Sequence, residues 1–209
     1  MSGGDSETAP GPLRELWTEI GAAFERTFAR HPDALACRSG CADCCVAGLA
    51  VDPVEAHALE VWLDAASEDQ RRKIAALASR PEETSCVLLD EDAACSIYPA
   101  RPIICRVFGL AMRLTPELAI APGERRRLPI YGVPRDDARV ISTCSKNFVS
   151  EDPERAAPDV IVDDASSQLR RAAVSRSFSR SLSPGAPTER ASLVAIVRAR
   201  LGVPPPPQG

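Results

Sequence analysis

The stretch Cys37-Arg38-Ser39-Gly40-Cys41-Ala42-Asp43-Cys44-Cys45 places four cysteines in nine residues, and four more follow at wider spacing: Cys86, Cys95, Cys105 and Cys144. An isolated cysteine is often just a small buried hydrophobe, but a cluster this dense needs a chemical reason. If the first group lies on a helical turn, Cys37, Cys41 and Cys44 share one face through their i+4 and i+3 relations. Consecutive helical residues point about 100° apart, because a turn takes about 3.6 residues. On that geometry Cys44 and Cys45 serve two neighbouring centres, or one of them bridges.

The surroundings of the cluster point to metal rather than disulfides. Residues from Met1 to Pro12 lack the basic and apolar regions of a secretory signal. No apolar run reaches the length of a membrane span. Both features predict a cytoplasmic protein in a reducing compartment, where thiols persist and stable disulfides are rare. Eight thiols there are read as metal ligands. A tetrahedral zinc ion takes four ligands, so eight cysteines suffice for two sites. A cubane iron–sulfur cluster also takes four thiolates. Only Cys41 and Cys44 have the Cys-x2-Cys spacing of a zinc knuckle, and the string does not match a ferredoxin. Cys37-x3-Cys41-x2-Cys44 has the spacing of radical S-adenosylmethionine enzymes, but those need a barrel of alternating strands and helices. Zinc is preferred to iron for a structural role, since it has no redox chemistry.

Composition narrows the class further. Hydrophobic residues make up 44% of the chain but aromatics only 4%, so the core is built from Ala, Leu, Val and Ile, a mixture that favours closely packed helices. The formal net charge of −4 argues against a general nucleic-acid binder, which needs a basic surface. Glu124-Arg125-Arg126-Arg127, Asp90-Glu91-Asp92 and Asp163-Asp164 read as solvated turns.

Residues 1–12 are polar and rich in Gly and Pro, and read as a disordered leader. Apolar residues Leu13, Leu16, Trp17, Ile20, Ala23, Phe24 and Phe28 recur at helical spacing from Pro12 to Arg30, and His31-Pro32 closes that helix. Asp52-Pro53 is an N-cap followed by proline at the first helical position, starting a helix to about Ala65. Ser67 and Gln70 form a capping-box pair for another helix ending near Ser79. Cys86–Leu89 and Cys95–Tyr98 flank an acidic turn and predict a short hairpin, with a short helix over Ile103–Leu110. Residues 115–140 hold four prolines and read as an irregular excursion with one strand. Helices follow over about 159–178 and 188–201, then the extended tail Pro204-Pro205-Pro206-Pro207.

The string Cys95-Ser96-Ile97-Tyr98-Pro99-Ala100-Arg101-Pro102-Ile103-Ile104-Cys105-Arg106 resembles the C-x-I-Y-x-x-R-P-x-x-C-R signature of the YkgJ-like cysteine-cluster family. Cys41-Ala42-Asp43-Cys44-Cys45 is similar to the second half of that family's C-x-x-C-x-x-C-C opening, with Cys37 one residue further out than usual. The resemblance covers about residues 37–144 and implies a zinc- or iron-chelating domain. Flagellin lysine methylases look like distant relatives, which implies an alternative: an iron–sulfur enzyme modifying a protein side chain. Within the match, Arg101 and Arg106 have a rationale as guanidinium groups that offset thiolate charge. Tyr98 is read as a packing residue, His57 as a surface residue and His31 as a helix-end cap.

Taken together, the sequence predicts a mainly α protein, a helical domain with a small β-hairpin, stapled by cysteine-ligated metal. Residues 13–150 form the cysteine-cluster domain, 151–202 helices packed on it, and 203–209 a Pro-rich tail. The partners expected are metal ions, zinc or iron (as ions or as a cluster), bound by Cys37, Cys41, Cys44, Cys45, Cys86, Cys95, Cys105 and Cys144 and either structural or stored. No membrane and no nucleic acid are expected. No Gly-rich cofactor loop or general base marks a catalytic site.

Overall fold

The computed structural model describes residues 9–38, 40–114, 130–134, 140–150, 152, 162–163, 174–175, 177–178, 181 and 189–207. Helices dominate the described chain: α1 (Gly11–Arg30), α2 (Pro53–Ala65), α3 (Glu68–Ala78), α4 (Ile103–Val107) and α5 (Leu193–Leu201). Their ends follow from local chemistry. In α1 the Pro10 carbonyl accepts the N–H groups of Leu13 and Arg14, so Gly11 and Pro12, read from sequence as leader, belong to the first turn. The stripe Leu13, Leu16, Trp17, Ile20 and Ala23 is buried. Pro53 opens α2, and Glu55 Oε2 accepts the Asp52 N–H at 3.3 Å. Ser67 and Gln70 bond reciprocally at the start of α3, satisfying N–H groups that a helix start leaves without partners. Among the described residues no helix is long and apolar enough to cross a membrane.

The chain divides into two compact units. The first comprises Met1–Glu15, Cys45–Pro102 and Ala172–Gly209. Its core joins Leu59 and Leu63 of α2, Ile74 and Ala78 of α3, Val87, Leu88 and Ile97 of the cysteine-bearing loops, and Leu193, Val194, Ile196 and Val197 of α5. Strand β1 (Ala50–Val51) pairs antiparallel with β6 (Ala191–Ser192). That pairing holds 191–192 extended, so α5 begins later than its apolar pattern suggests. Ser192 caps it by accepting the Ala195 N–H at 3.3 Å, and Gly202, at φ +67, ends it.

The segment 86–98, expected as a hairpin, is a looser structure. Leu89 and Cys95 form a single isolated bridge. Asp90 Oδ1 accepts the N–H groups of Asp92 and Ala94 at 3.0 and 2.8 Å, which curls the chain before a ladder can extend. Tyr98–Ala100 then form one 3-10 turn.

The second unit comprises Leu16–Cys44 and Ile103–Arg171. It holds a four-stranded sheet in the order β3-β4-β2-β5, from β2 (Met112–Leu114), β3 (Ile130–Pro134), β4 (Val140–Cys144) and β5 (Val162–Asp163). β4 is antiparallel to both neighbours, and β5 runs parallel to β2. This sheet corrects two expectations. The 115–140 excursion ends in a full strand and leads into another, and Val162-Asp163 lies in the sheet rather than in a helix. The strand-favouring residues Ile130, Tyr131 and Val133, and Val140, Ile141 and Thr143, explain it, and Pro134 is tolerated because β3 is an edge strand. The rest of the excursion and most of the 159–178 helix lie outside the described residues, as do residues 1–8 of the leader.

Candidate metal centres

The first cysteine segment is not helical. Gly40 takes φ +85, a left-handed conformation suited to glycine, and the Cys41 N–H turns back to the Arg38 carbonyl at 3.0 Å. A shared helical face therefore does not gather these thiols; a loop does. Four contacts fasten that loop to the turn after β4. Phe148 N–H donates to the Ala34 carbonyl at 2.7 Å, and Ala36 N–H donates to Asn147 Oδ1 at 2.8 Å. Asn147 Nδ2 donates to Cys37 Sγ at 3.2 Å, and Lys146 Nζ pairs with Asp43 at 2.6 Å. Cys144, whose carbonyl accepts the Asn147 N–H at 2.9 Å, is thereby brought to the loop.

Electrostatics define the set. Burial pushes the Cys37 thiol above its ordinary value, the Asn147 hydrogen bond opposes that rise, and the charges of Cys144, Cys41 and Cys44 add to it. Cys41, Cys44 and Cys144 thus all lie within electrostatic reach of Cys37. The Lys146 ammonium sits beside two of these: its pKa is raised by the hydrogen bond and charge of Asp43 and also by Cys41 and Cys144. Cys105 is carried by α4 of the same unit and is half-buried.

The first unit holds the other three thiols. Cys86 N–H donates to the Cys45 carbonyl at 2.9 Å, and Val46 bridges to Ser85. The Leu89–Cys95 bridge and the bond from Ser96 N–H to the Leu88 carbonyl at 2.9 Å bring Cys95 back to Cys86. Burial raises the Cys86 thiol, against a backbone hydrogen bond from Leu88. Burial also pushes Cys95 up to about 11, against a backbone hydrogen bond from Ile97, with Cys86 adding to the rise and Arg101 opposing it.

The second-rank candidates take other places. Arg101 bears on Cys95, and its guanidinium also lies 3.5 Å from the Tyr98 ring centroid. Tyr98 is 56% exposed, so it is a platform for Arg101 rather than a packing residue. The buried Arg106 lies over Trp17, 4.1 Å from the ring centroid. His57 is half-buried against Phe178, and His31 packs on Phe148.

Soft sulfur suits zinc and iron–sulfur chemistry alike, so the donor sets fit either metal chemically. Among the described residues no three His, Cys, Asp or Glu side chains already converge on a metal-holding arrangement.

Residues 36–125 match the CxxCxxCC family. Its model is described as a "Putative zinc- or iron-chelating domain". Neither the curated proteins nor the solved structures compared with the chain gave a match. The CxxCxxCC match spans Cys37, Cys41, Cys44, Cys45, Cys86, Cys95 and Cys105, and stops short of Cys144. Sequence reasoning missed Gly109, Lys146 and Asn147. A single Asn in a polar turn carries no periodicity, so its burial was not legible.

Proposed function

We propose that this protein binds zinc or iron through its cysteines in two centres, with the metal structural or stored and zinc preferred. One centre draws on Cys37, Cys41, Cys44 and Cys144, and the other on Cys45, Cys86 and Cys95; Cys105 is a further ligand from α4. The observation that carries this reading is the N–H donor that Asn147 aims at the Cys37 sulfur at 3.2 Å. A protonated thiol is a weak acceptor, whereas a thiolate bound to metal carries excess charge that such donors offset. Buried thiols resist ionisation on their own, and a metal supplies the positive charge that makes the thiolate stable. Bound zinc would supply cross-linking energy without redox chemistry.

The test is a titration of the metal-free protein with Zn2+ under reducing conditions. About two ions per chain should bind tightly, given four ligands per tetrahedral site, and thiol reactivity should fall in parallel. Eight freely reactive thiols in the presence of Zn2+ and Fe2+ would overturn the proposal.

A further inference from the structure

We propose that Asn147 is a positioning residue for the metal-bound Cys37 sulfur, holding it in place and drawing charge from it through an N–H···S hydrogen bond. The inference rests on the metal-binding reading above and extends beyond the family match, which ends before this residue.

Asn147 is 3% exposed, an unusual place for an amide unless its hydrogen bonds are met. They are met in a way that fixes its orientation. Oδ1 faces a donor, the Ala36 N–H at 2.8 Å. Nδ2 faces an acceptor, the Gly109 carbonyl at 2.6 Å. A flipped amide would set oxygen against oxygen and N–H against N–H, so the neighbours dictate which end is which. The remaining Nδ2 hydrogen is then directed at Cys37 Sγ, at 3.2 Å.

The sulfur is walled on another side by backbone. Gly109 takes φ +98, and a Cβ built there would lie 2.5 Å from Cys37 Sγ. Cys37 thus sits in a slot bounded by an amide donor and a glycine. Three residues separate it from Cys41 rather than two, which takes it out of a knuckle turn that would orient it locally. A side chain 110 positions away in sequence does so instead. Hydrogen bonds to metal-bound sulfur withdraw charge and raise the energy needed to move an electron from sulfur to metal.

The experiment uses the full chain loaded with Co2+ as a spectroscopic probe, and with Zn2+ for affinity. Asn147→Asp keeps the shape and the acceptor for Ala36 but removes the donor; Asn147→Ala removes both. In both variants the sulfur-to-cobalt charge-transfer band should move to lower energy, and Zn2+ affinity should fall ~10–100-fold. An unmoved band and affinity in variants that keep the parent's circular dichroism would overturn the inference. Should the variants fail to fold, the parent loaded with the spin-active cadmium isotope decides. Scalar coupling between an Asn147 Nδ2 proton and cadmium through Cys37 Sγ is the supporting result, and its absence overturns the role. A parent that binds neither Co2+ nor Cd2+ removes the metal reading itself and this inference with it.

Discussion

Cys86 N–H donates to the Cys45 carbonyl at 2.9 Å, while Cys44, the residue before, is grouped with Cys37 and Cys144. Cys44 closes one segment of the second compact unit and Cys45 opens one segment of the first. On the proposed grouping adjacent thiols belong to different sets, although the segment is a loop and not the helical turn expected from spacing. Cys44→Ser and Cys45→Ser should each lose about one of two bound ions, and the double variant both. Metal stoichiometry on the three proteins checks this, and loss of the same single ion in all three contradicts two centres.

Gly109 and Gly202 make a matched pair for separating backbone strain from crowding at the sulfur. Both have positive φ, but a Cβ at Gly202 meets nothing within 4 Å, whereas one at Gly109 meets Cys37 Sγ. Gly202→Ala should cost about 1 kcal/mol from its left-handed backbone alone and leave metal content unchanged. Gly109→Ala should cost at least as much and also release metal, because the Cys37 sulfur has to move. Denaturant melts and bound-metal analysis of the two variants provide the comparison.

Local signals carried the first unit well. Asp52-Pro53 and the Ser67/Gln70 pair mark the starts of α2 and α3 because capping is decided within four residues. The sheet of the second unit was largely illegible, since β2 and β5 find partners far along the chain and their strands are short. The cysteine set was legible from spacing alone, but its grouping was not. Grouping depends on Asp43–Lys146 and Cys37–Asn147 contacts, which link residues more than a hundred positions apart.

Arg198 is the polar tie of the first unit. Its Nε donates to the Ala78 carbonyl at 2.8 Å, Nη2 to the Arg80 carbonyl at 2.9 Å and Nη1 to Glu82 at 3.2 Å. A cation at the end of α3 also complements the carbonyls left there by the helix. The side chain is 13% exposed, so water replaces these bonds poorly. Arg198→Ala should destabilise the unit by about 2 kcal/mol. Urea denaturation at fixed metal loading measures it, and an unchanged midpoint with unchanged slope contradicts the assignment.

The Arg200–Asp64 pair joins α5 to α2 at the surface. The Arg200 hydrogen bond holds the Asp64 carboxyl below its ordinary value of 3.8. A lowered folded-state pKa contributes stability above the ordinary value, which is lost as pH falls through the lowered one. Arg200→Gln should therefore melt slightly earlier than the parent near neutral pH, and the difference should vanish in strong acid. Exposure keeps the effect small and salt-sensitive. Thermal melts of the metal-free proteins across that acidic range check the sign, and a difference that grows as pH falls contradicts it.

Zinc and iron make opposite predictions for the same purified sample. Thiolates ligate both, and the CxxCxxCC description covers both, so donor type does not separate them. The arrangement of the thiols bears on the choice. Cys37, Cys41, Cys44 and Cys144 come from two segments tied by Asp43–Lys146 and Cys37–Asn147, a cross-link between loop and sheet of the kind a structural ion completes. Protein purified anaerobically from its own host should then be colourless, with about two zinc ions per chain, counting four ligands per tetrahedral site. Removing them with a chelator should lower the melting temperature, because structural zinc contributes ~10–16 kcal/mol of apparent binding energy in small domains that fold around it. Elemental analysis, acid-labile sulfide and the visible spectrum of one sample decide the matter. Iron with matching sulfide and a brown charge-transfer band overturns the zinc preference and turns attention to iron–sulfur chemistry on a protein side chain.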